Sequence, residues 1–225
     1  MRQTVKEFSL LKAEPGRQQR ALAEALSDHL SESLTLHEHP CCDVVRNIVS
    51  GPVNGTAGNT FTCVLELTRK DQPADRDVRY TVNLDGIDRQ SSISFLAHEH
   101  IIREGGGPAK FMSLLRRQPG MTFEEFSDYW RKGHADLVRS IPKVWDEFSG
   151  YRQNHILPGT SLHLDGKPVA QPYDGIVEIW FDSFQALERT MMSQYYRDVI
   201  RPDEETFVDL PNTRMIVEES VISTP

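Results

Sequence analysis

The chain is poor in cysteine, in clustered positive charge and in long apolar runs, and each shortage removes a class of protein. Three of its 225 residues are cysteine. Cys41, Cys42 and Cys63 are an odd number with a neighbouring pair, which is a poor disulfide framework and suits a reducing compartment. No apolar run approaches the ~20 residues a helix needs to cross a bilayer. The opening MRQTVKEFSLLKAEP turns polar too early for a signal peptide. The expected location is the cytoplasm, with no membrane partner. Net charge is −8 and lysines and arginines form no stripe, so no nucleic-acid partner is expected. Gly105-Gly106-Gly107-Pro108 lacks the lysine and helix start of a phosphate loop. No Gly-x-Ser-x-Gly elbow or Cys–His nucleophile pattern is present.

What is present is a repeat. Residues 6–16 (KEFSLLKAEPG) and 110–120 (KFMSLLRRQPG) agree at Lys6/Lys110, Ser9/Ser113, Leu10/Leu114, Leu11/Leu115, Pro15/Pro119 and Gly16/Gly120. Lys12 and Arg116 also match in charge. The offset is close to half the chain, so the repeated unit is a folded half and not a short solenoid turn.

In the second half, residues 110–116 read as a strand ending at the turn pair Pro119-Gly120. Thr122 and Glu125 have capping-box spacing. Phe123, Phe126, Trp130, His134, Leu137 and Ile141 then follow a helical period, closed by Pro142. Residues 148–157 alternate as a strand, with Tyr151, Gln153 and His155 on one face. Residues 175–181 (GIVEIWF) form a nearly continuous apolar strand, and a helix capped by Asp182 or Ser183 runs to about Arg197. Residues 201–211 read as irregular, and 214–221 as the last strand. The order is β-α-β-β-α-β, the ferredoxin-like motif.

The first half follows the same order more weakly. Its strands fall at 8–12, 44–49, 61–68 and 91–102, with a helix over 17–34 and no clear second helix between 71 and 88. The expected fold is α+β: two ferredoxin-like halves, residues 1–104 and 110–225, joined by the glycine-rich linker. Their antiparallel sheets would bury their open faces against each other as an intrachain α/β barrel. Such a chain is a monomeric pseudo-dimer, or half of a homodimer.

The segments MTFEEFSDYWRKGHADLV, YRQNHILPG, YDGIVEIWFDSFQAL and DEETFVDLPNTRMIVEES resemble the EthD family of dimeric α/β-barrel proteins. The resemblance covers residues 110–221. The first half resembles a degenerate copy: at the 104-residue offset Leu26 replaces Trp130 and Leu30 replaces His134. The resemblance implies a cleft between sheet and helices and a small, largely apolar or aromatic substrate. It also implies proton-transfer chemistry without a cofactor, such as cyclisation, decarboxylation or isomerisation. It does not imply one reaction.

His134 is the sharpest candidate. It sits on an apolar helix face one turn from Trp130, where desolvation favours a neutral imidazole able to act as general base. A core histidine bonded to a backbone carbonyl is the plainer reading. His155 shares a strand face with Tyr151 and Gln153, and if that face lines the cleft it could pair with His134 as acid and base. Glu178 interrupts an apolar strand. It is either a buried carboxyl in the site or the partner of a cation such as Arg116 or Arg152. By resemblance, Phe207 closes the cleft and Asp209 orients a histidine, although Asp-Leu-Pro also suits a plain turn. Trp130, Tyr151, Trp180 and Phe207 would shape the pocket.

Two other functions remain open. One is a non-catalytic binder of a small hydrophobic molecule. The other is a metal enzyme built on the two His-Glu-His triplets, His37/His39 and His98/His100, because alternate strand residues share a face as paired ligands can. A haem-handling protein is a weaker relative of the same barrel.

Overall fold

A computed structural model describes residues 4–16, 25, 42–52, 61, 63–69 and 82–223 of the chain. Apart from Ala25, which is helical, the helix expected over 17–34 lies outside the described residues, as do His37 and His39 of the first His-Glu-His triplet and Cys41. Nine strands make one antiparallel sheet: β1 (Val5–Leu11), β2 (Cys42–Pro52), β3 (Cys63–Arg69), β4 (Ile93–Arg103), β5 (Ala109–Leu115), β6 (Phe148–Ile156), β7 (Leu162–His163), β8 (Gly175–Phe181) and β9 (Arg214–Ser223).

The strand order is β1-β3-β2-β9-β5-β8-β6-β4, and β4 also pairs with β1, so these eight strands close into a barrel. The short β7 rides on the end of β4. The order β4-β1-β3-β2 on one side is matched by β9-β5-β8-β6 on the other, and both are the ferredoxin-like 4-1-3-2. Each half has two unpaired edges, and each edge is satisfied by the other half through β2–β9 and β4–β6. Among the described residues, closure pairs both edges of each half, edges that would otherwise template aggregation. It is achieved within one chain.

Strands β1, β5 and β8 are buried along their whole length. One face looks into the barrel and the other is covered from outside. On the inside, Phe8, Leu10, Ile93, Phe95, Met112, Leu114, Ile156 and Ile176 pack together. Beside them lies a group of charges. Lys6 contacts Glu66, and Glu178 at 3.1 Å; Lys110 contacts Glu178, and Glu66 at 3.1 Å. Two lysines and two glutamates therefore alternate in a closed ring. The ring follows the repeat: Lys6 and Lys110 come from the first strand of each half, Glu66 and Glu178 from the third. Glu99 adds a further carboxylate 2.8 Å from Lys6. Burial works against the Glu178 charge, but the two ammonium groups hold its carboxyl well below the usual range.

Outside the barrel, α1 (Phe123–Tyr129) begins with the expected capping box, Thr122 and Glu125 bonding each other's backbone. It passes through a π-helical turn (Trp130–His134) into α2 (Ala135–Arg139). Pro142 opens the next element instead of ending this one, as the N-terminal proline of α3 (Pro142–Trp145). Ser183 caps α4 (Phe184–Met191), which stops well short of Arg197. A second π-turn (Tyr196–Ile200) follows and leads directly into α5 (Arg201–Phe207). The stretch read as irregular therefore begins with a helix. The linker glycines are sterically required. Gly105 has φ 127°, and a side chain at Gly105 or Gly107 would strike the backbone of Ser149 or Phe181. Among the described residues, no helix is long and apolar enough to cross a membrane.

Candidate active site

Between the outer face of the second-half sheet and its helices lies a cavity with ≈ 670 Å³ of atom-free space, mouth included. Every residue that lines it falls between 111 and 215. The floor is Phe111, Ser113 and Leu115 of β5, Phe148 and Tyr151 of β6, and Val177 and Ile179 of β8. Phe148 and Tyr151 share this face because a register shift interrupts β6 between Phe148 and Gly150. The roof includes both π-turns, which contribute Trp130 and His134 from one side and Tyr196 and Ile200 from the other. A π-turn shifts the side chains that follow it relative to a regular helix, and such turns recur at functional sites. An open apolar groove shares Phe111, Met191, Tyr196 and Met215 with the cavity and adds the exposed Phe184 and Met192.

His134 is buried and lines the cavity. Its Nδ1 lies 2.7 Å from Oδ2 of Asp203. Asp203 also accepts the phenol hydrogen bond of Tyr129. Burial opposes the Asp203 charge, but the bonds from His134 and Tyr129 outweigh it and hold the carboxyl below its ordinary value. An ionised Asp203 only accepts hydrogen bonds, so neutral His134 carries its proton on Nδ1. Nε2 keeps a free lone pair and has no protein partner among the described residues. The His134 ring rests against Phe207, with centroids 5.1 Å apart.

Tyr151 is the second polar group on the floor. Its oxygen accepts from Nε2 of Gln153 at 2.8 Å. Gln153 is in turn fixed by its 2.9 Å bond to the Trp130 carbonyl. A phenol that accepts from Gln153 still has its own hydrogen to offer. Desolvation raises the Tyr151 pKa and keeps it a neutral donor.

Glu204 also lines the cavity. Its Oε2 accepts from the Tyr196 hydroxyl at 3.0 Å and lies 3.4 Å from Arg201. Burial raises its pKa against the opposing pull of His134 and Arg201. Neither Asp203 nor Glu204 stood out in the sequence, because both belong to α5. A signal was available: Pro202 followed by Asp203, Glu204 and Glu205 is how a helix first turn reads.

Of the residues expected at the site, the structure gathers His134, Trp130, Tyr151 and Phe207 around one cavity. It does not bring the other four there. His155 is screened from the cavity by Trp130, on which it stacks at 4.5 Å, and its ring nitrogens face Ser127 (2.6 Å) and Gln153 (3.4 Å). Desolvation takes its pKa down to about 3. Asp209 orients none of the described histidines. It precedes a 3-10 turn, and its Oδ2 accepts from Asn212 at 2.8 Å. Glu178 points into the barrel, where its partners are Lys6, Lys110 and Asn154, not Arg116 or Arg152. Trp180 faces the same way, and Lys110 and Arg152 lie over its ring at 4.8 Å.

The metal site weighed on the His-Glu-His triplets does not assemble from the residues described. His37 and His39 lie outside them, so the set of four histidines falls partly outside the described residues. In the second triplet, His98 and His100 share a strand, but Glu99 between them turns inward to Lys6, and His100 meets His155 edge-on at 4.5 Å. Among the described residues, no three His, Cys, Asp or Glu side chains converge in a way that could hold a metal ion.

The comparisons with known proteins follow this division of labour. Over 106 residues the chain is 26% identical to "Dehydratase ustZ" of Ustilaginoidea virens, which covers 45% of this chain and 75% of that protein. The whole fold is similar to that of a protein from Fusobacterium nucleatum subsp. nucleatum ATCC 25586 named as a monooxygenase (TM-score 0.57, 7% identity, 99% of this chain and 94% of that one). It is also similar to an anthrone oxidase-like protein (TM-score 0.56, 11% identity, 99% and 93%). These two likenesses are of fold alone. The family model described as EthD domain matches residues 118–211, the span that holds sixteen of the twenty-one residues lining the cavity. The likeness to the EthD domain thus lies in the second half of this chain.

Proposed function

We propose that the chain is an enzyme that moves a proton on a small, largely apolar molecule, with His134 as general base. The observation that carries this reading is the Asp203–His134 pair at the edge of an apolar cavity. A carboxylate on Nδ1 fixes the tautomer, turns the basic Nε2 toward the ligand and stabilises the imidazolium once the proton is taken. Tyr151, its hydrogen free, would bond to the oxygen on which charge collects as an enolate or phenolate forms. The apolar walls favour an aromatic or polyketide-like substrate with an acidic C–H beside a carbonyl. A cavity that served binding alone would have no use for a carboxylate-oriented histidine. The name of the relative from Ustilaginoidea virens points to loss of water as the overall reaction, a lyase activity. Residues 110–225 would carry the chemistry, and residues 1–104 would be a degenerate copy whose sheet closes the barrel.

The test is hydrogen exchange. Aryl ketones with acidic α-hydrogens are incubated in D₂O with the protein, and deuterium uptake is followed by NMR. The wild-type chain accelerates uptake. His134→Ala lowers the rate by ~10²–10⁴, the usual share of one acid–base group, while the circular dichroism spectrum stays unchanged. Uptake at the wild-type rate in folded His134→Ala would end the proposal.

A further inference from the structure

A base alone explains exchange or isomerisation, but loss of water needs a second group, because hydroxide is a poor leaving group. We propose that Glu204 is that group, the acid that protonates the departing hydroxyl of a β-hydroxy carbonyl substrate. This rests on the reading of His134 above and extends it from proton abstraction to elimination.

The assignment comes from what lines the cavity. Glu204 is the only carboxyl among its described lining residues. The other oxygen acids there are committed or too weak. Thr190 donates to the carbonyl of Ala186, Ser113 to that of Arg214 and Thr213 to that of Asp209. Tyr196 donates to Glu204 itself, and burial raises the pKa of both Tyr196 and Tyr151. Burial likewise favours the protonated form of Glu204. Asp203, its neighbour on α5, is held ionised by His134 and Tyr129. Two consecutive carboxyls thus have their pKa values driven in opposite directions, Asp203 down beside the histidine it orients and Glu204 up at the cavity wall. Pairs of titratable groups driven apart by their surroundings are how acid and base roles are divided in one site.

The step balances as follows. Nε2 of His134 takes the hydrogen from the carbon next to the carbonyl. The C–H electron pair becomes the new C=C bond, the C–O bond at the β-carbon breaks, and the Glu204 proton goes to the leaving oxygen to give water. The products are the unsaturated carbonyl compound, imidazolium on His134 and carboxylate on Glu204. Transfer of one proton from the imidazolium to the carboxylate resets the site with no external reagent.

The experiment compares leaving groups. A β-hydroxy aryl ketone and its β-acetoxy analogue, whose acetate departs without a proton, are given to wild-type and Glu204→Gln protein. Carbon–hydrogen exchange is measured beside elimination. Glutamine keeps an acceptor for Tyr196, so the fold is expected to hold. The variant should lose water ~10²-fold more slowly, the scale of one lost acid, while elimination of acetate and deuterium exchange fall far less. If Glu204→Gln dehydrates at the wild-type rate, or slows both leaving groups equally, Glu204 is not the acid. If exchange persists in that case, His134 survives as base. No exchange and no elimination in wild-type protein would overturn both readings.

Discussion

The buried His155 makes a specific demand on acid stability. Folding takes its pKa from 6.5 to about 3, chiefly by desolvation. The unfolded chain therefore binds a proton at a pH where the folded chain does not. A group depressed in this way leaves stability intact above its unfolded value. Stability is lost as pH falls from 6.5 toward 3, and the loss then levels off. At about 1.4 kcal/mol per pH unit, the fall from pH 7.5 to 4.5 crosses about two units of this window and costs about 3 kcal/mol. The perturbation is His155→Gln, which keeps a polar contact for Ser127 but cannot titrate. Other acid-sensitive groups, among them Glu178, Asp203, His98 and His100, are common to both proteins and cancel to first order. The assay is urea unfolding at pH 7.5 and 4.5. Glutamine forfeits the stacking on Trp130, so the variant starts less stable at neutral pH. The wild type should then lose about 3 kcal/mol more than the variant between the two pH values. Equal losses would refute the claim that a neutral, desolvated imidazole sits behind Trp130.

Two further predictions concern packing. A methyl group on Gly175 would collide with the six-membered ring of buried Trp130. Gly175→Ala should thus lower stability by about 1–3 kcal/mol, as overpacking usually does, and alter the cavity roof, read as a lower Tm and a changed tryptophan fluorescence. Lys110→Met would leave Glu66 and Glu178 each with one ammonium partner inside the barrel, and should cost about 3–5 kcal/mol in chemical denaturation. Adding Glu178→Leu should recover part of that loss.

The sequence made some parts legible and hid others for physical reasons. His134 could be found because a titratable ring at a leucine position breaks an apolar helical period. The repeat announced the barrel, and Lys6 and Lys110 within it turn out to be half of the central charge ring. Alternation in GIVEIWF correctly separates Ile176, Glu178 and Trp180 from Val177 and Ile179. It does not say which set faces the helices, because this strand is buried on both sides. That is why Glu178 and Trp180 were expected at a cavity they do not touch. His155 has the same strand parity as Tyr151, yet Trp130 stands between it and the cavity, a tertiary fact without a local signature. Asp203 and Glu204 were hidden by reading helix α5 as irregular. The carboxylate that orients His134 therefore comes six residues before the one expected, Asp209.

The most direct test of the account is the tautomer of one ring. In protein labelled with ¹⁵N-histidine, NMR should find the neutral form of His134 with its proton on Nδ1 and a bare Nε2. Adding 2-naphthol as an apolar phenolic probe should shift Nε2 far more than Nδ1, and Asp203→Asn should remove the tautomer preference. An Nε2–H tautomer, or a ring that does not sense the probe, would contradict a carboxylate-oriented base facing the cavity.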